Sequence, residues 1–297
     1  MDLRFTIFAI VLAASCLSAF IAMAARQRQR GKMEQRRRLF LSREFSCPAS
    51  PVDRQFYFVR AHVYDTQFVS MWEELTCEFP PDRLFLLFDN TSHSLPDSFM
   101  NQYGHRVVLH NASGCKERNP LQENLWKHVE CPLVLMYEFL EANFPWFTYA
   151  WVIEQDIYCD GSWRKALSKA DHMLQDLLTV DMVPYPASRE RSSTWPLWDS
   201  FQGDIDSIPM KERWKGFFPS VRFSPKILEL IRENMGQNTG YCESYIPTLA
   251  VHNGLTVASL PPSMLGRFSA KRVLEGNIVP DQKDDRLYHK FELYKND

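Results

Sequence analysis

The chain has 297 residues, of which 45% are hydrophobic, 13% aromatic and 24% charged, with a formal net charge of −2. This composition excludes a disordered or fibrous protein and suffices for one large α/β domain or two small ones without a disulfide scaffold. The near-neutral balance also excludes a general nucleic-acid binder, which would carry a strongly basic face.

From Phe5 to Ala25 no charged residue, Pro or Gly interrupts the chain. At about 1.5 Å rise per residue this stretch matches the hydrocarbon thickness of a bilayer. Residues 1–25 therefore read as a transmembrane signal anchor. A cleaved signal peptide ending near Ala22-Met23-Ala24 is the alternative, although its apolar region normally spans only about 7–15 residues. A buried amphipathic helix is the third reading, without a recurrent polar face to support it. Residues 26–53 form a basic stem, in which Arg26, Arg28, Arg30, Lys32, Arg36, Arg37, Arg38 and Arg43 outnumber Glu34, Glu44 and Asp53. The remainder, 54–297, is acidic and reads as the catalytic domain. By the positive-inside rule the stem would lie in the cytosol, so charge alone leaves the orientation open.

Six cysteines lie outside the anchor: Cys47, Cys77, Cys115, Cys131, Cys159 and Cys242. Their spacing gives no C-x-x-C pair and no zinc pattern. Buried thiols and disulfides of an oxidising compartment both remain open. Asn90-Thr91-Ser92 and Asn111-Ala112-Ser113 are sequons that a lumenal domain could have glycosylated.

Within the body, strands alternate with helices. Phe56–Val59 is a β-branched and aromatic strand ending in Arg60-Ala61-His62, and a helix follows over about 65–77. Arg83–Phe88 is a continuous apolar run, the mark of a strand covered on both faces, and it stops at Asp89-Asn90. Arg106–Leu109 is a shorter strand. Pro132 suits the first turn of a helix through Leu140. Tyr149–Ile153 is the next buried strand, with Glu154-Gln155-Asp156 at its end. The spacing predicts a helix over Arg164–Leu178, a strand over Val180–Val183, and an irregular stretch from Pro184 to Gly216. Ser224-Pro225 opens a helix to about Met235, a further helix covers about 243–253, and a strand lies near Thr256–Leu260. This order predicts an α/β fold with a mainly parallel sheet between helices, whose ligands bind beyond the carboxyl ends of the strands.

Glu154 and Asp156 carry the strongest signal. Two carboxylates one residue apart at a strand end project to the same side. Such a hard oxygen pair suits Mn²⁺ or Mg²⁺, whereas the plainer account makes one a cap and the other solvated. Asp204-Ile205-Asp206 is a rival pair without an apolar strand before it, and Asp284-Asp285 reads as a solvated turn. Trp195, Trp198 and Trp214 lie in the long irregular stretch, either as a wall for the apolar faces of a sugar or as local core. No G-x-G-x-x-G, Walker, nucleophile-elbow or H-E-x-x-H motif occurs.

A strand ending in E-x-D, inside an alternating α/β domain behind an N-terminal anchor, resembles the GT-A glycosyltransferases of the secretory pathway. The resemblance spans about residues 54–291. It implies transfer of a sugar from a UDP- or GDP-sugar donor to a glycan or glycoconjugate acceptor, and a type II, lumenal placement in Golgi or endoplasmic reticulum membranes. It gives Glu154 and Asp156 the metal, with His289 of Tyr288-His289-Lys290 completing its shell. Glu243, in Gly240–Leu249, corresponds to the catalytic base of inverting members. Arg60, His62, Asp89 and Lys290 are the expected donor contacts, and Trp195, Trp198 and Trp214 the acceptor contacts. The competing readings are a non-catalytic, membrane-tethered carbohydrate-binding or scaffold protein with the same fold, and a cytosol-facing nucleotidyl- or phosphoryl-transfer enzyme.

Overall fold

The structure, a computed structural model, describes residues 54–122, 128–185, 196–266 and 284–289. The expected anchor and stem, together with Trp195 and Lys290, lie outside these. Among the described residues no helix is long and apolar enough to cross a membrane.

The described residues fall into two units. The smaller comprises residues 96–106, with a short helix, Asp97–Tyr103, that leads into a single 3-10 turn. The Phe99 and Tyr103 rings lie 4.9 Å apart within it.

The larger unit begins with β1 (Gln55–Ala61), α1 (Thr66–Glu78), β2 (Leu84–Asp89), β3 (Val107–His110) and α2 (Ala112–Arg118). Next come α3 (Glu130–Asn143), β4 (Tyr149–Glu154), β5 (Ile157–Cys159), α4 (Trp163–Ser168) and β6 (Leu177–Pro184). The last elements are β7 (Trp214–Phe223), α5 (Pro225–Asn234), α6 (Cys242–His252), β8 (Val257–Ser259) and β9 (Leu287–His289). Seven strands form one sheet in the order β3-β2-β1-β4-β7-β6-β8, and β5 pairs with β9 in a two-stranded clip.

Alternation along β1 sends successive side chains to opposite faces. Phe56 and Phe58 meet Phe144 (4.6 Å) and Phe139 (6.4 Å) at the α3 layer, whereas Tyr57 meets Phe79 (4.2 Å) just beyond α1. Helices thus cover both faces, and Leu84 to Phe88 of β2 are wholly buried, as a continuous apolar run requires. The helix starts follow their capping residues. Asp65 accepts from the Phe68 N–H (2.8 Å) ahead of α1, and Ser224 caps α5, with Pro225 in its first turn.

β7 and α4 differ from the sequence expectation. The sheet is mainly parallel, as expected, and the unforeseen strand is β7, which runs antiparallel to both β4 and β6. That strand was hidden by Gly216 and Pro219, residues that demote a strand reading. Gly216 is required there, since a Cβ would sit 2.2 Å from the Thr179 methyl of the neighbouring strand. The helix expected over Arg164–Leu178 ends at Ser168. Arg222, fully buried, donates to the carbonyls of Ala170 and Met173, and the chain turns into β6. Leu174, inside the range expected to be helical, is 79% exposed.

Candidate active site

After β1 the chain moves outward through β2 and β3, then returns as β4 on the other side of β1. Such a reversal opens a crevice at the carboxyl ends of the two central strands. Arg60 and Glu154 are register partners there, and their side chains form an ion pair in which each is about one-fifth exposed (22% and 23%). Gln155 points elsewhere: its amide oxygen accepts from the N–H groups of His62 (2.8 Å) and Val63 (3.2 Å). It therefore fixes the loop after β1 against the E-Q-D turn. His62 itself is exposed.

The E-x-D turn leads into β5, whose Ile157 pairs with His289 of β9. This register brings His289 Nε2 to 3.3 Å from Asp156 Oδ2 and 3.9 Å from Glu154 Oε2. One ligand atom from each of the three residues lies within 4.8 Å of the others. Octahedral donors held about 2.1 Å from a hard cation stand about 3–4 Å apart, so two carboxylates and an imidazole at this spacing fit Mn²⁺ or Mg²⁺. The Phe217 ring meets the His289 ring edge-on at 4.9 Å, limiting the orientations that the imidazole can take.

Glu243 occupies the first turn of α6, and its Oε1 accepts from the Phe218 N–H (3.3 Å). Burial pushes its carboxyl up to about 7, and the charge of Glu154 adds to the rise. The Phe218 hydrogen bond, Lys215 and Arg60 oppose it. Lys215 is shifted the other way, lowered by burial while Glu243 and Asp181 hold it up. Asp181 lies where the β6–β7 register is irregular and has a positive φ of 51°. A half-buried site therefore carries a carboxyl poised near neutrality beside a cluster of donors suited to a cation.

Behind α6 lies a buried network. The Thr239 hydroxyl donates to Glu130 Oε1 (2.7 Å) and sits 2.7 Å from His128 Nδ1. Glu130 is fully buried, and desolvation pushes it up to about 7.

The other expected residues are distributed as follows. Asp89 ends β2, where its Oδ1 accepts from the Thr91 N–H (2.9 Å). It pairs in register with His110, a buried imidazole that desolvation pushes down to about 4. Trp198 is only 2% exposed, with its ring 5.1 Å from that of Tyr185. It packs internally instead of standing as an open wall. Trp214 is half-buried at the start of β7. The rival Asp204 and Asp206 fall in a 3-10 turn, where Asp206 receives Arg213 Nη2 at 3.1 Å. Asp285 is no solvated turn residue, because its Oδ1 accepts from the Ser162 N–H (2.7 Å). Cys115 and Cys131 form a disulfide with a Cα–Cα distance of 5.4 Å. Cys159 and Cys242 are buried thiols, and Cys77 is exposed.

Sequence reasoning missed Gln155, Lys215, Glu130 and Asp160. Gln155 carried a usable signal, as the residue of an E-x-D turn that alternation sends to the opposite side. Glu130, Lys215 and Asp160 carried none, since each gains its surroundings from chain far away in sequence.

No protein-family model matches the chain, and no curated protein sequence matches it. Among solved structures it is similar to mouse xyloside xylosyltransferase 1 in its apo form, at 11% identity and a TM-score of 0.43, over 79% of this chain and 97% of that one. It is also similar to a mannosyltransferase from Pyrobaculum calidifontis in complex with GDP-Man and Mn²⁺, at 10% identity and a TM-score of 0.40. That likeness covers 82% of this chain and 66% of that one.

Proposed function

We propose that the chain is a metal-dependent glycosyltransferase, moving a sugar from a UDP- or GDP-sugar to a hydroxyl of a glycan or glycoconjugate. The observation that carries this reading is the meeting of Glu154, Asp156 and His289 at the carboxyl edge of the sheet, beside a carboxyl held near neutrality. Mn²⁺ or Mg²⁺ bound by those three residues would neutralise charge on the departing nucleotide diphosphate.

The chain's own residues have separate tasks. Glu243 takes the proton of the acceptor hydroxyl as its oxygen attacks the anomeric carbon, and Phe218 N–H holds the Oε1 of that carboxylate in place. Arg60, next to Glu154, offers a guanidinium to the phosphates, and Asp89 borders the donor crevice. His62 and Lys290 are assigned to the donor by the GT-A resemblance alone. Trp214, half-buried at the edge of β7, is the proposed acceptor contact, with Trp195 assigned alongside it.

In this reading residues 1–25 anchor the chain, 26–53 are the stem, and 54–297 lie in the lumen of the Golgi or endoplasmic reticulum. The Cys115–Cys131 disulfide supports an oxidising compartment.

A screen of UDP- and GDP-sugars with and without Mn²⁺, following release of the nucleotide diphosphate, tests the assignment. Metal-dependent release that disappears in both Glu154→Ala and Asp156→Ala is the expected result. Turnover left intact in both variants refutes it, and no turnover with any donor favours a binding protein of the same fold.

A further inference from the structure

His289 reaches the carboxylate pair only through a short returning strand, so something must hold that strand in register. Asp160, directly after β5 and 4% exposed, binds that strand and the residues leading into it at three points. Its Oδ1 accepts from the Arg286 N–H (2.6 Å), and its Oδ2 from the Tyr288 hydroxyl (3.1 Å) and the Asp284 N–H (3.4 Å). The Asp160 N–H in turn donates to the Arg286 carbonyl (3.1 Å).

Two further ties close the same end. Lys169 Nζ donates to the carbonyls of Asp284 and Asp285, each at 2.8 Å, and of Ser263 at 3.0 Å. The Ser162 N–H donates to Asp285 Oδ1 (2.7 Å). Gly161 leaves the room for that contact, since a Cβ there would stand 2.3 Å from Asp285 Oδ1. Asp285 itself adopts a positive φ of 52°, a conformation that costs energy in a non-glycine residue and is held here by its neighbours.

We infer that Asp160, with Lys169 as its outer partner, is a positioning residue that sets His289 against Glu154 and Asp156, and thereby sets the affinity of the site for its divalent cation. This rests on the metal role proposed for the triad. The physical basis is that a three-residue strand has too few ladder hydrogen bonds to fix its own register. A buried carboxylate accepting from alternate residues 284, 286 and 288 permits only one register, and a one-residue slip would turn His289 to the other side.

The test is Mn²⁺ binding to the full-length protein, read from the free-ion signal in electron paramagnetic resonance, with no donor present. Asp160→Asn should weaken binding about tenfold, the lower end of what lost supporting contacts cost a metal site, and Lys169→Met should weaken it less. A merely structural residue would not show the further signature: in the His289→Ala background, Asp160→Asn should bring no additional loss, because both changes act through one ligand. If Asp160→Asn does not fold, Tyr288→Phe and Lys169→Met take its place in the same cycle. Wild-type affinity in the folded variants, or losses that multiply in the His289→Ala background, would overturn the inference. A wild-type protein that does not bind Mn²⁺ would instead overturn the metal reading beneath it.

Discussion

Glu130 should make the fold less stable as pH rises, and Glu130→Gln should remove that dependence. The carboxyl is fully buried, accepts one hydrogen bond from Thr239, and is raised from 4.5 to about 7 by desolvation. A carboxyl raised on folding binds its proton more tightly in the native state. Its contribution is therefore complete below about pH 4.5 and is lost as pH climbs through about 7. At about 1.4 kcal/mol per tenfold change in proton affinity, this amounts to about 3 kcal/mol between those limits. Glu243 is displaced in the same direction, so the wild type should lose two such contributions over this window and Glu130→Gln only one. Urea unfolding followed by tryptophan fluorescence, repeated from pH 4.5 to 8, gives both curves. The stability of Glu130→Gln relative to wild type should rise by about 3 kcal/mol across the range. A difference that stays constant within about 0.5 kcal/mol, near the error of such extrapolations, would show that Glu130 is ionised throughout and refute the reasoning.

The remaining predictions concern catalysis, metal binding and packing. As a base, Glu243 must be ionised, so turnover should rise as pH passes about 7. Glu243→Gln should lose about 10²–10⁴-fold in rate together with that limb, and an unchanged pH–rate profile in the variant would remove it from the base role. Gly216→Ala should cost about 1–3 kcal/mol through overpacking, because its Cβ would meet the Thr179 methyl at 2.2 Å. Adding Thr179→Ser, which deletes that methyl and keeps the hydroxyl bond to Phe217 O, should restore part of the loss in thermal unfolding. Cys115→Ser with Cys131→Ser opens a loop of 16 residues' separation and should destabilise by about 3 kcal/mol, measurable against the oxidised wild type.

The sequence was most legible where a local pattern and a buried environment agree. β2 and β4 read as strands because both faces are covered, and α5 read as a helix because Ser224 and Pro225 mark its start. Glu154 and Asp156 were visible for the same reason, as polar residues that abruptly end an apolar strand. His289 entered through the GT-A resemblance; its three-residue strand is too short to give a periodic signal, and its place depends on pairing with Ile157. β7 was hidden by Gly216 and Pro219; at Gly216 the local preference is overridden by close packing against Thr179. The false extension of α4 arose because nothing local reveals that Arg222, some fifty residues on, claims the carbonyls of Ala170 and Met173. Glu130 lies beyond sequence reasoning in the same way. A glutamate at a helix start is ordinary, and only the fold buries it beneath Thr239.

The central claim is that Glu154, Asp156 and His289 share one divalent cation at a nucleotide-sugar site. Anomalous diffraction at the manganese edge, from crystals of the protein grown with Mn²⁺ and UDP or GDP, tests it most directly. One dominant peak is expected within about 2.0–2.3 Å of an oxygen of Glu154, an oxygen of Asp156 and Nε2 of His289, with diphosphate oxygens completing the shell. A peak at Asp204 and Asp206 instead, or bound nucleotide with no metal at the triad, would contradict it.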